Sequence, residues 1–173
     1  IIERSKSTGK HSKIGGFLIL QLGLEFRQQQ LPYILPKECL IKIEDNTGYE
    51  PDVIVINRSL LNLEPRWQKE SVITQGVTIP LAIEIVSTNW RDDYYLKYAD
   101  FEEMGIPEYW IIDYAALGGR NFIGNPKQPT IAVCNLVDGE YQISKFRESD
   151  RLISAIFPDL NLTANQIFKA SLI

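Results

Sequence analysis

The sequence of 173 residues holds one histidine, two cysteines, one methionine and no long apolar run. With His11 alone, a zinc site of the His/Cys type lacks ligands, and nucleases built on paired or clustered catalytic histidines are excluded. A Ser-His-Asp hydrolase has no G-x-S-x-G elbow to supply its nucleophile. Neither a Walker A loop nor G-x-G-x-x-G is present, so nucleotide-cofactor chemistry has no visible cradle. Cys39 and Cys134 lie far apart, outside any CxxC motif, and read as buried free thiols in a reducing, cytoplasmic setting. No stretch approaches the ~18 apolar residues that cross a membrane, and the N-terminal segment lacks a cleavage-site pattern. The first residue is Ile rather than Met, which leads us to expect further sequence upstream. What remains for catalysis is carboxylate, lysine and a hard metal ion.

The composition is that of an ordinary globular chain, 45% hydrophobic and 23% charged, and the length suits one domain over residues 1–173. Net charge is −4, which argues against a passive nucleic-acid coat protein. It does not oppose an enzyme that meets DNA locally, because a carboxylate site loaded with Mg²⁺ reverses its own sign. The segment with Arg4, Lys6, Lys10 and Lys13 is locally basic and reads first as a solvated arm, second as a phosphate-binding patch. His11, at a helix start, reads as a capping or solvated residue before a phosphate contact.

Apolar spacing through Phe17, Leu18, Leu20, Leu22 and Leu24 predicts a helix over about 12–30, closed by Leu31-Pro32. Strands are expected at 39–44, with alternating burial, and at 51–57, continuously apolar after Asp52. The stretch 58–79 is irregular. A third strand over 81–87, a helix over 91–105 and a fourth strand over 108–114 read as a βαβ-like crossover. Two strands, 130–137 and 141–146, flank the hairpin signal Asp138-Gly139. Thr163 and Gln166 form a capping box that opens a last helix through Leu172. The fold class is α/β.

Glu84 interrupts an apolar strand, on the face it shares with Ala82 and Val86. A carboxylate on a covered face is unfavourable unless a cation or donors meet it. Lys97 falls in the middle of the helical stripe Tyr94, Lys97, Tyr98, Phe101 and Met104, while Asp92, Asp100, Glu102 and Glu103 mostly point elsewhere. Lys97 and Glu84 are therefore either a buried ion pair or part of an active site. Asp52 opens a strand expected to neighbour that of Glu84. Two carboxylates on adjacent strands can share Mg²⁺ or Mn²⁺, and a nearby lysine can orient or deprotonate water and neutralise a phosphoryl oxygen. Tyr109, Trp110 and Ile112 read as core strand residues with Trp67 and Trp90 packed nearby, and Tyr94, Tyr95 and Tyr98 as core or interface residues. Asp113 either pairs with Lys97 or ends its strand.

Pro51-Asp52, Glu84-Ile85-Val86-Ser87, Lys97 within Asp92–Tyr98, and the run Gly105 to Asp113 together resemble the Uma2 family of restriction-endonuclease-like proteins in the PD-(D/E)XK nuclease superfamily. Gly9-Lys10-His11-Ser12 and Phe157-Pro158-Asp159-Leu160 are also similar. The resemblance implies a restriction-endonuclease-like core, a mixed β-sheet flanked by helices with an added C-terminal hairpin and helix. It implies Asp52 and Glu84 as metal ligands beside the Ile85 carbonyl, and Lys97 as catalytic lysine, in a Mg²⁺- or Mn²⁺-dependent endonuclease acting on DNA. The superfamily lysine normally stands two positions after the acidic residue, where this chain has Val86. Lys97 is then a lysine moved to the next helix. Glu25 is the one glutamate on the first helix that could join such a site. A homodimer is expected for double-strand cutting. The competing expectation is a non-catalytic nuclease-fold module, a dimeric interaction or nucleic-acid-binding unit whose carboxylates and lysine form a structural ion pair.

Overall fold

A computed structural model describes residues 7–173; Glu3, Arg4 and Lys6 of the basic segment lie outside the described residues, while Lys10 and Lys13 are exposed. The first helix, α1 (Gly9–Gln28), starts three residues before the apolar periodicity does. Thr8 is the reason: its side chain accepts from the His11 backbone N–H and satisfies an otherwise orphaned donor. Only Ile14, Leu18 and Leu22, four apart on one line, are fully buried, and Leu20 and Leu24 face solvent.

The strands are β1 (Tyr33–Ile34), β2 (Leu40–Glu44), β3 (Thr47–Tyr49), β4 (Val53–Asn57), β5 (Val72–Ile73), β6 (Leu81–Ile85), β7 (Glu108–Asp113), β8 (Thr130–Val137) and β9 (Glu140–Phe146). Six form a mixed sheet in the order β1-β4-β6-β7-β8-β9, and β3-β2-β5 form a small second sheet. The irregular stretch 58–79 is short 3₁₀ turns, a four-residue helix α2 (Trp67–Glu70) and β5. β6 runs parallel to β7 across the intervening helix, as the crossover reading anticipates.

That helix is not uniform. Asp92–Leu96 is one π-helical turn, with the Lys97 N–H bonded to the Asp92 carbonyl, and it continues as α3 (Lys97–Met104). Gly105, at φ +83°, ends it in the left-handed conformation that glycine adopts without strain. Asp138 and Gly139 both take positive φ, giving the tight turn between β8 and β9. A four-residue turn of helix, α4 (Arg120–Ile123), precedes β8, and α5 (Ala164–Lys169) opens on the reciprocal Thr163–Gln166 capping box.

The large sheet separates two cores. Val53, Val55, Leu81, Ile83, Ile85, Trp110 and Ile112 face α1 and α5. Ile54, Ile56, Ala82, Val86, Tyr109, Ile111 and Cys134 face the π-turn, α3 and the small sheet. Strand alternation divides them, and burial on both faces explains the unbroken apolar runs in β4 and β6. Trp67 and Trp90 pack on the second core with Tyr109, not with Trp110. Both cysteines are buried free thiols, as expected. No helix among the described residues is long and apolar enough to cross a membrane.

Candidate active site

β4 and β6 are antiparallel, with Val53 opposite Ile83. One step further sets Asp52 across from Glu84, at the strand ends where the ladder opens. The Ile85 N–H donates to Asp52 Oδ2 at 2.7 Å and fixes that carboxylate against β6. Glu84 is 4% exposed on the face of Ala82 and Val86, looking toward the π-turn and α3. Lys97 Nζ lies 3.1 Å from Glu84 Oε1 and 2.8 Å from Asp93 Oδ1. The contact with Asp93 is a hydrogen bond; that with Glu84 is an ion pair without hydrogen-bond geometry, leaving Oε1 buried with no hydrogen-bond partner.

Asp52, Glu84 and Lys97, the three residues singled out in the sequence, thus line one cavity of about 580 Å³, whose rim residues Ser87, Asn89 and Asp92 are exposed. Val86 is buried in the second core, and the ammonium beside Glu84 comes from the helix. Two residues were not anticipated. Asp93, buried beneath the π-turn, is the second partner of Lys97; it looks like an ordinary first-turn acid in the sequence, and its i,i+4 spacing to Lys97 was the available signal. His11 is neither a cap nor solvated: its Nε2 lies 3.0 Å from the Ile85 carbonyl and 3.2 Å from Asp52 Oδ2. Both neighbours are acceptors there, so Nε2 carries the hydrogen.

One other expectation is corrected. Glu25 sits fourteen residues beyond His11, about 21 Å along the helix, and does not line the cavity. Of the two expectations for Asp113, the second holds: it ends β7 and accepts from the Leu117 and Gly118 amides. Asp100 and Glu102 point away from Glu84, as expected, and accept from the Tyr49 hydroxyl and the Tyr141 amide. Tyr94 is core, and Tyr95 is 52% exposed.

Burial is the largest influence on Glu84 and pushes its carboxyl well above the usual range; Lys97 opposes this, and Asp52 and Asp93 reinforce it. Asp93 is raised for the same reason, with Lys97 opposing. Burial also acts to raise Asp52, but the His11 and Ile85 donors outweigh it and hold that carboxyl low. Burial alone would lower the Lys97 ammonium, yet Glu84 and Asp93 hold it above the ordinary lysine range. His11 is raised, chiefly by its bond to Asp52 and against the effect of burial.

The cavity carries Glu50, Asp52, Glu84, Asp92 and Asp93 against Lys97 and His11, a negative field that favours a small divalent cation. Among the described residues no three His, Cys, Asp or Glu side chains form a metal nest. The available donors are two carboxylates and a main-chain carbonyl. Hard oxygen ligands from two carboxylates suit Mg²⁺ or Mn²⁺, which keep several waters. Glu84 Oε1, buried with the Lys97 ammonium as its one polar neighbour, has acceptor capacity left that such an ion fits.

The mixed sheet flanked by helices is the architecture expected of a restriction-endonuclease-like protein. Residues 1–165 match the Uma2 family, described as "Putative restriction endonuclease", and the chain belongs to that family. A comparison with curated proteins finds no match.

Proposed function

We propose that the protein is a divalent-metal-dependent endonuclease that hydrolyses DNA phosphodiester bonds. The observation that carries this reading is the meeting of Asp52, Glu84 and Lys97 in one solvent-reachable cavity, with Glu84 Oε1 buried and met only by the Lys97 ammonium. Asp52, Glu84 and the Ile85 carbonyl would hold Mg²⁺ or Mn²⁺. When bound, that ion supplies positive charge opposite the phosphate and acidifies a water. His11 holds Asp52 and the Ile85 carbonyl in place through one N–H. Lys97, whose ammonium its two acids hold above the ordinary lysine range, places positive charge against the oxygens that become more negative in the transition state. Asp93 keeps the ammonium in position. Free buried thiols accord with a reducing, cytoplasmic setting.

Asp52→Ala, Glu84→Ala and Lys97→Ala should each abolish Mn²⁺-dependent cleavage of DNA while the circular dichroism spectrum stays native. Persisting cleavage by Glu84→Ala overturns the reading. Cutting both strands of a duplex takes two copies of the chain, so we expect a dimer by sedimentation at micromolar concentration; one copy suffices for one strand.

The double pairing of Lys97 favours a second reading, a non-catalytic module in which Glu84, Asp93 and Lys97 are a structural ion network. Calorimetric titration separates the two. A catalytic site takes up Mn²⁺ in wild type and not in Asp52→Ala, whereas a closed network takes up none in either.

A further inference from the structure

The nuclease reading leaves open how the nucleic acid is gripped, because the cavity itself is lined by carboxylates. A second cleft of about 420 Å³ lies on the other side of the same loop. Asn89 and Asp92 line the catalytic cavity, while Trp90 and Arg91 between them line this cleft with Tyr95, Arg120, Phe122 and Lys127. No acid is among its lining residues, and none of Arg91, Arg120 and Lys127 forms an ion pair among the described residues. In a chain of net charge −4, three exposed unpaired cations in one cleft beside the candidate active site are a local reversal of sign.

The cleft is also aromatic. The Arg91 guanidinium stacks 4.4 Å from the centre of the Trp90 ring. Gly119 makes the wall possible, since a Cβ there would stand 3.1 Å from the indole edge. Tyr95 and Phe122 meet edge to face at 5.3 Å, and Tyr95 stays 52% exposed, which leaves part of its ring open to a ligand. Tyr95, Asn121 and Phe122 also line an adjoining, mainly apolar cavity of about 530 Å³. Cations for phosphates beside open aromatic faces and an apolar recess are the elements that bind unpaired nucleotides.

We propose that this cleft binds DNA flanking the cleavage point as a single strand, its phosphates on Arg91, Arg120 and Lys127 and an unpaired base laid on Tyr95 and into the apolar recess. A paired base cannot present its face there, so the cleft engages a duplex only where its strands are locally opened. This rests on the nuclease reading.

The test is anisotropy of a labelled oligonucleotide of roughly 20 nucleotides, single-stranded or as a blunt duplex, titrated with the full chain in EDTA. Wild type should bind the single strand more tightly. Tyr95→Ala should weaken single-strand binding about fivefold or more without changing duplex binding. The triple variant Arg91→Ala, Arg120→Ala, Lys127→Ala should lower the slope of log affinity against log salt by about 2. These side chains are exposed, so the fold should hold, as circular dichroism can verify. Equal affinity for duplex and single strand, absence of binding by wild type, or a triple variant indistinguishable from wild type overturns the cleft. Mn²⁺-dependent cleavage is read separately. Wild type that cleaves while the triple variant binds unchanged leaves the nuclease reading standing, and strand binding through the cleft without any cleavage removes that reading instead.

Discussion

Lys97 is the residue on which the electrostatics of the cavity turn. Glu84 and Asp93 are both buried and both held above the usual carboxylate range by that burial, so each depends on the one ammonium between them. Lys97→Met should therefore destabilise the protein by about 3 kcal/mol, because it strands two acids rather than one. Glu84→Gln removes like-charge repulsion with Asp52 and Asp93 and should leave stability within about 1 kcal/mol of wild type, or raise it. Urea midpoints of the two variants check the contrast. Glu84 was legible in the sequence because a carboxylate in an apolar strand breaks the pattern, and Lys97 because it sits in a helix stripe. His11 was not legible: a helix start exposes side chains in many directions, and only the approach of α1 to the end of β6 gives this one a partner.

At the scale of elements, the sheet is tied to its surroundings by buried polar links as much as by apolar packing. Glu108, the first residue of β7, accepts from Trp110 Nε1, Ser154 Oγ and the Ala155 and Ile156 amides, and so fastens the C-terminal segment to the sheet. Burial, outweighing those donors, raises its carboxyl above the ordinary value of 4.5. A carboxyl whose value rises on folding favours the folded state most when protonated. Its contribution is full below the unfolded value and is lost as pH rises through the folded one. The stability of wild type relative to Glu108→Gln should accordingly fall as pH rises above the ordinary glutamate value of 4.5, measured as the difference in urea midpoint. Elsewhere, a Cβ on Gly76 would lie 2.3 Å from the Met104 carbonyl, where backbone meets backbone. Gly76→Ala should cost about 3 kcal/mol, read the same way. The longer helices and strands were readable from periodicity, while the two- to four-residue elements β1, β3, α2 and α4 were not. The π-turn was not, since a single widened turn leaves the apolar spacing intact, and β5 was not, since two residues carry no period.

For the whole molecule, the sign of charge is unevenly placed. Five carboxylates line the candidate active-site cavity and three cations with no ion pair among the described residues line the neighbouring cleft, although net charge is only −4. A bound divalent cation should stabilise the fold by mass action, about 2.7 kcal/mol at a concentration one hundred times its Kd. For a chain of this size that corresponds to a rise in melting temperature of about 5–10 °C. Thermal unfolding with and without Mn²⁺ should show the rise in wild type, and its loss in Asp52→Ala and Glu84→Ala.

The amino-acid sequence by itself determined the α/β class, the crossover that carries Lys97 between β6 and β7, the tight turn at Asp138-Gly139 and the candidates Asp52, Glu84 and Lys97. Each of these rests on spacing within a few residues, where backbone geometry allows few alternatives. The tertiary structure alone decided which distant groups meet them: His11 rather than Glu25 from the first helix, Asp93 rather than Asp113 beside the lysine, and a cationic cleft sharing a loop with an acidic cavity. Those meetings depend on how separate elements pack, and packing is set by the summed burial of both cores, which no local pattern contains.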